Sequence, residues 1–186
     1  MVGKIRMIRP GMIGFGVKRS GFYPNAVRFF TKSKWSHCFV VINQVFGEVS
    51  VIEADLKVQV VPFHREYVEK NADYYEVWEP IAATDSDVLR ATSSVYLQDA
   101  GKIYGFLQIP WFAFRAVMRF FGVELRRNWY RDGEICSELL WNYLMQLGPK
   151  YKNAFSVFTE DECSPEDLYD IVLIRPDLFQ LVTKRD

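Results

Sequence analysis

Apolar residues along the chain recur with a period near two in some stretches and near 3.6 in others, which predicts strands interleaved with helices. After the Pro10-Gly11 turn signal, Met12 to Val17 reads as a first strand. Pro24 to Phe30 fits a short helix, with Asn25 and Arg28 outward and Ala26, Val27, Phe29 and Phe30 inward. The basic loop Lys32-Ser33-Lys34-Trp35 then leads into an apolar strand, Ser36 to Ile42, that carries His37 at its start. Asn43 to Gly47 reads as a five-residue hairpin loop and Glu48 to Ala54 as its return strand. Pairing Ile42 with Glu48 sets Glu53 opposite His37, and opposed residues share a face. A slip of one residue would turn them apart. Val58 to Val61 and Tyr74 to Trp78 read as two more strands, with Pro80 ending the second. His64 follows Pro62 among charges and reads as part of a surface loop.

The second half is mostly helical in pattern. Thr84 to Gln98 is a helix with Thr84 as N-cap, Asp87 as the acidic partner of the cap, and Gly101 as the stop. Ile103 to Val123 is the most apolar stretch, but Gln108, Pro110, Arg115 and Arg119 interrupt it, against a membrane span. It reads either as a largely buried helix or as an interfacial segment that docks on lipid or on an acyl group. Cys136 opens an apolar helical run that stops at Gly148-Pro149. Ser164-Pro165 opens a short helix, and Phe179 to Thr183 supplies a last strand. There is no internal repeat or linker, and 186 residues make one domain, 1–186, with a real core.

Composition narrows the function. Hydrophobic residues make up 49% and aromatics 16%, a globular balance rich enough in rings to line a core or a groove. Lys and Arg number 23 and Asp and Glu 23, so the chain lacks the basic excess of a polyanion binder, and nucleic acid is not expected as a partner. Three cysteines, Cys38, Cys136 and Cys163, form no disulfide framework and no zinc-type pair, so no metal is expected. The first ten residues do not form a secretory signal. A reducing, cytoplasmic setting is the expectation, with delivery inside a virus particle as an alternative.

The candidate chemistry lies in two of these residues. A thiol at a helix N-terminus sits where the helix dipole and unbonded N–H groups favour the thiolate. A histidine at a strand end can be held rigidly beside it and serve as its base. Each residue also has a plain reading, Cys136 as a small core hydrophobe and His37 as a satisfied polar group.

Six segments, in order, resemble the circularly permuted NlpC-type papain-like proteins, the group that holds YiiX-like amidases and lecithin-retinol-acyltransferase-like enzymes. They are Arg9 to Phe15, with Met12 where an Asp is usual; Ala26 to His37, ending in Ser-His; and Val51-Ile52-Glu53-Ala54. Tyr104-Gly105-Phe106 follows, with Gly105 in place of an Asp, then Ile135-Cys136-Ser137-Glu138-Leu139 and Ser164 to Leu168. The resemblance implies an α+β fold in which an antiparallel sheet or half-barrel packs against helices. It implies Cys136 as nucleophile, His37 as base and Glu53 as the residue that orients His37. Tyr104 would stand near the thiol, at the oxyanion site or as a core aromatic. The helix start at Ile135 and Cys136 would supply oxyanion N–H groups. Cys38, on the far side of the strand from His37, and Cys163 would be structural.

The implied reaction is acyl transfer through a thioester on a peptide-type amide or acyl substrate, with no metal or organic cofactor needed. Three readings stand at this point: a thiol amidase or peptidase; a lipid-directed acyltransferase or esterase using Ile103–Val123 against a lipid surface; and a non-catalytic papain-like binding module.

Overall fold

The computed structural model describes residues 7–18, 33–45, 47–55, 57–70, 72–102, 114, 118, 121, 122, 135–159 and 163–185. The helix expected at Pro24–Phe30 and most of Ile103–Val123, including Tyr104, Arg115 and Arg119, lie outside them.

The strands are β1 (Ile13–Lys18), β2 (His37–Val45), β3 (Glu48–Ala54), β4 (Val58–Pro62), β5 (Ala72–Pro80) and β6 (Phe179–Arg185). They form one sheet in the order β4-β3-β2-β1-β5-β6, antiparallel at every pairing. The helices are α1 (Asp85–Asp99), α2 (Cys136–Gln146), α3 (Pro149–Phe155) and α4 (Pro165–Ile174). The expected α+β architecture with an antiparallel sheet is present.

Local chemistry accounts for the helix boundaries. Thr84 caps α1 by accepting from the Asp87 N–H, and Asp87 accepts in return from the Thr84 N–H. Ser164 and Asp167 make the same reciprocal pair at α4, with Pro165 in the first turn. Such caps answer N–H groups that a helix cannot bond itself. Gly148-Pro149 ends one helix and also begins another, since proline is well suited to a first turn. His64 is exposed, as expected, but it opens a wide helical turn, His64–Lys70, rather than lying in a loop.

The β2–β3 hairpin is tighter than expected. β2 runs on to Val45, which pairs with Glu48, and Gly47 takes the left-handed conformation (φ 81°) that the short turn needs. A bulge between Ile42 and Gln44 shifts the register, so Glu53 lies opposite Phe39 rather than opposite His37. The displacement is two residues. Side chains alternate with period two, so Glu53 and His37 stay on one face as diagonal neighbours.

Both faces of the sheet are packed. The larger cluster joins Ile13, Phe15, Trp35, Cys38 and Val40 to Cys136, Leu139, Leu140 and Tyr143 of α2 and to Leu168 and Val172 of α4. The smaller sets Met12, Phe39, Val41 and Val51 against Phe63 and Tyr67 of the wide turn. Gly14 pairs with Phe39 across β1 and β2, and the Phe39 ring lies over it where a Cβ would stand. Among the described residues no helix is long and apolar enough to cross a membrane.

Candidate active site

β2 begins at His37, whose backbone pairs with Gly16 near the end of β1. This end of the sheet is where the two packed faces meet around one imidazole. On the face of the wide turn, His37 Nε2–H donates to Glu53 Oε2 at 3.0 Å, with both side chains buried. The Tyr67 hydroxyl donates to the same oxygen, and Gln59 Nε2 donates to Glu53 Oε1 at 3.3 Å. Glu53 is therefore a carboxylate without solvent exposure that is met by three donors, the arrangement a buried anion requires. Burial pushes the Tyr67 hydroxyl well above its ordinary pKa, and the Glu53 charge pushes it further, so Tyr67 stays a donor. The Tyr67 ring lies nearly parallel to the imidazole, 6.4 Å between centroids.

On the other face stands Cys136, the first residue of α2 and 2% exposed. Its thiol is within hydrogen-bonding reach of Cys38 and of His37. With Nε2 given to Glu53, the imidazole has Nδ1 left for the sulfur. The Cys136 pKa is held well below the ordinary thiol value. The Cys38 thiol hydrogen bond is the largest cause, and the hydrogen bond and charge of His37 and the Cys38 N–H add to it against the opposing effect of burial. The sequence alone assigned Cys38 a structural place away from the site. Alternation does put Cys38 on the helix side of β2, but α2 docks there, and the Cys38 Sγ lies 3.0 Å from the Cys136 carbonyl, with one S–H to turn to that oxygen or to the Cys136 sulfur. Cys38 is therefore part of the site, and burial holds its own thiol protonated. Cys163, by contrast, donates only weakly to the Ser137 carbonyl, at 3.7 Å, and is also pushed up by burial.

The helix start is uncapped by any side-chain hydroxyl, because its N-cap is Ile135. The Ile135 N–H instead donates to Glu138 Oε2 at 3.0 Å. Ile135 is thus occupied, and the N–H groups of Cys136, Ser137 and Glu138 precede the helical ladder, which begins with Leu139 N–H donating to the Ile135 carbonyl. Tyr104 lies outside the described residues. Gln59 and Tyr67 were not singled out from the sequence. Gln59 had a signal, since it pairs directly with Glu53 across β3 and β4. Tyr67 had none, because a charged segment after a proline does not announce a turn that covers a sheet.

No protein-family model and no curated protein matches the chain. Among solved structures, the metalloprotein YiiX from Escherichia coli O157:H7 superposes with a TM-score of 0.63 at 17% identity, over 95% of this chain and 97% of that one. The chain has a YiiX-like fold. At this identity the likeness to YiiX concerns the path of the backbone, and the chemistry rests on the side chains described above.

Proposed function

We propose that the chain is a cysteine hydrolase, an amidase or peptidase of the permuted papain-like class, in which Cys136, His37 and Glu53 act as nucleophile, base and orienting carboxylate. The observation that carries this reading is the imidazole held between two partners, Glu53 at 3.0 Å through Nε2 and the lowered Cys136 thiol on its other side. Glu53 fixes the tautomer and the ring orientation. His37 takes the Cys136 proton, and the thiolate attacks the carbonyl carbon of an amide. The N–H groups of Cys136 and Ser137 meet the oxyanion, each such donor contributing about 3 kcal/mol to the transition state. The imidazolium returns its proton to the leaving amine. Water, deprotonated by His37, then opens the thioester and restores the thiol.

YiiX is described as a metalloprotein. Among the described residues of this chain, no three His, Cys, Asp or Glu side chains converge to hold a metal ion, and His37 and Glu53 direct their atoms at each other.

The test is mass spectrometry of products from a mixed panel of peptides, peptidoglycan fragments and phospholipids. Wild-type protein should release product and carry an acyl mass on the Cys136 peptide, and Cys136→Ala should do neither. A second reading, the same residues acting on a lipid acyl group, is favoured by the exposure of Phe114 (50%) and Phe121 (71%) in the apolar stretch. Retention on liposomes that is lost in Phe114→Ser with Phe121→Ser would select it. No retention leaves the amidase.

A further inference from the structure

A second constellation lies beside this site and plays no part in the proposed chemistry. Lys34 extends its ammonium over three rings: Trp35 at 4.5 Å, Tyr169 at 4.6 Å and Tyr74 at 5.4 Å to their centroids. Trp35 and Tyr74 are stacked, 5.1 Å apart, and Tyr169 stands edge-on to Trp35 at 4.9 Å. The three rings thus form a box around the Lys34 ammonium. Behind it is the buried Glu76 carboxylate, which accepts from the Tyr74 hydroxyl at 2.5 Å, the Tyr169 hydroxyl at 2.8 Å and Trp78 Nε1 at 3.1 Å. All three donors are neutral. Among the described residues no lysine, arginine or histidine forms an ion pair with Glu76, nor any carboxylate with Lys34. The Trp35 indole N–H, fully buried, has no acceptor among the described residues.

A buried negative charge behind aromatic faces makes a site for a cation, because the ring quadrupoles and the carboxylate add. The present occupant is a poor match for a permanent one. Lys34 is exposed, its backbone N–H donates to Glu166 at 2.7 Å, and its ammonium, on a flexible stem, makes one long hydrogen bond to the Tyr169 hydroxyl at 3.4 Å. We infer that the Trp35, Tyr74 and Tyr169 box with Glu76 behind it is a binding site for a ligand's alkylammonium group, and that Lys34 fills it when the ligand is absent. The box sits at the same end of the sheet as His37. Trp35 precedes His37 by two residues, and Tyr74 adjoins Tyr75, which pairs with Gly16 of β1 as His37 does. Resting on the proposed hydrolase reading, the ligand is then a substrate that carries an ammonium group as well as the scissile carbonyl. The cation site itself does not depend on Cys136.

The experiment is proton NMR titration of Lys34→Met, which keeps the apolar stem and removes the charge, with tetramethylammonium, n-butylammonium and, as an uncharged probe of similar size, tert-butanol. One or both ammonium probes should show saturable upfield shifts from the ring faces, and which of them binds tells a methylated from a primary ammonium. Wild type should bind about tenfold more weakly because Lys34 competes. Tyr74→Leu in the Lys34→Met background should abolish the shifts. The same titration in Cys136→Ala should be unchanged, which separates this site from the hydrolase reading. Absence of saturable binding to folded Lys34→Met, equal binding of tert-butanol, or indifference to Tyr74→Leu would overturn the proposal. So would a Lys34→Met protein that does not fold, since Lys34 would then be a fixed part of the core.

Discussion

The starts of helices α2 and α4 each bring a cysteine into the same packed layer, yet the two thiols are pushed in opposite directions. Cys136 is the first residue of α2, and Cys163 immediately precedes the Ser164 cap of α4. Both are buried. At α4 the Ser164–Asp167 pair answers the N–H groups, and burial together with the charges of Glu138 and Asp167 keeps Cys163 protonated. At α2 no hydroxyl caps the helix, and the sulfur meets donors from β2, namely the Cys38 thiol and N–H and the His37 imidazole. Burial alone makes a thiol inert. Directed donors in the same apolar layer reverse the sign.

The largest effect expected from breaking that difference is on turnover. Cys136→Ala should remove acyl-enzyme formation altogether and reduce hydrolysis by at least about a thousandfold, read as product release from the substrate panel. His37→Ala should follow. It removes the base and one cause of the lowered pKa, so the pH at which Cys136 reacts with iodoacetamide should rise towards that of an ordinary thiol.

Cys38→Ala tests the least expected member of the site. It takes away the largest cause of the lowered Cys136 pKa while leaving His37 in place. The inflection of Cys136 alkylation should move to higher pH, and catalysis near neutrality should persist in reduced form. The sign follows from the direction of the shift. A thiol lowered on folding contributes stability at and above its unfolded pKa, and that contribution is lost as the pH falls through the lowered value. Cys38→Ala should therefore flatten the acid limb of a stability-against-pH curve.

Two smaller changes sharpen the comparison. Tyr67→Phe leaves Glu53 short of one of its donors, and should cost about 1–3 kcal/mol in denaturant unfolding. Ser164→Ala removes the α4 cap at a cost of about 1 kcal/mol. It should leave the alkylation pH profile of Cys136 untouched, because the groups that lower Cys136 belong to β2 and not to the α4 start.

Much of this arrangement was legible in the sequence where the controlling interactions are local. The caps at Thr84 and Ser164, the strand that starts on His37 and the helix that starts on Cys136 each follow from residues within one turn or one hairpin. The pairing of Glu53 with His37 is more instructive. The register inferred from a five-residue loop was displaced by two, because β2 continues past Ile42 through a bulge. An even displacement preserves the face, so the carboxylate still reaches the imidazole. Cys38 was not legible, because alternation along β2 turns it away from His37 but says nothing of which helix docks on that side. Tyr67 and the wide turn were hidden for the same reason: their place is set by packing against Phe39, a residue distant in sequence from their own segment.

The central claim is that Cys136 is an activated thiol, and site-resolved alkylation tests it most directly. Native protein is treated with iodoacetamide at mildly acidic pH, and the three cysteines are quantified by peptide mass spectrometry. Burial slows all three, so the comparison is among them. The account predicts that Cys136 is labelled ahead of Cys38 and Cys163, with the preference lost in His37→Ala. Equal labelling of all three, or selective protection of Cys136, would contradict it.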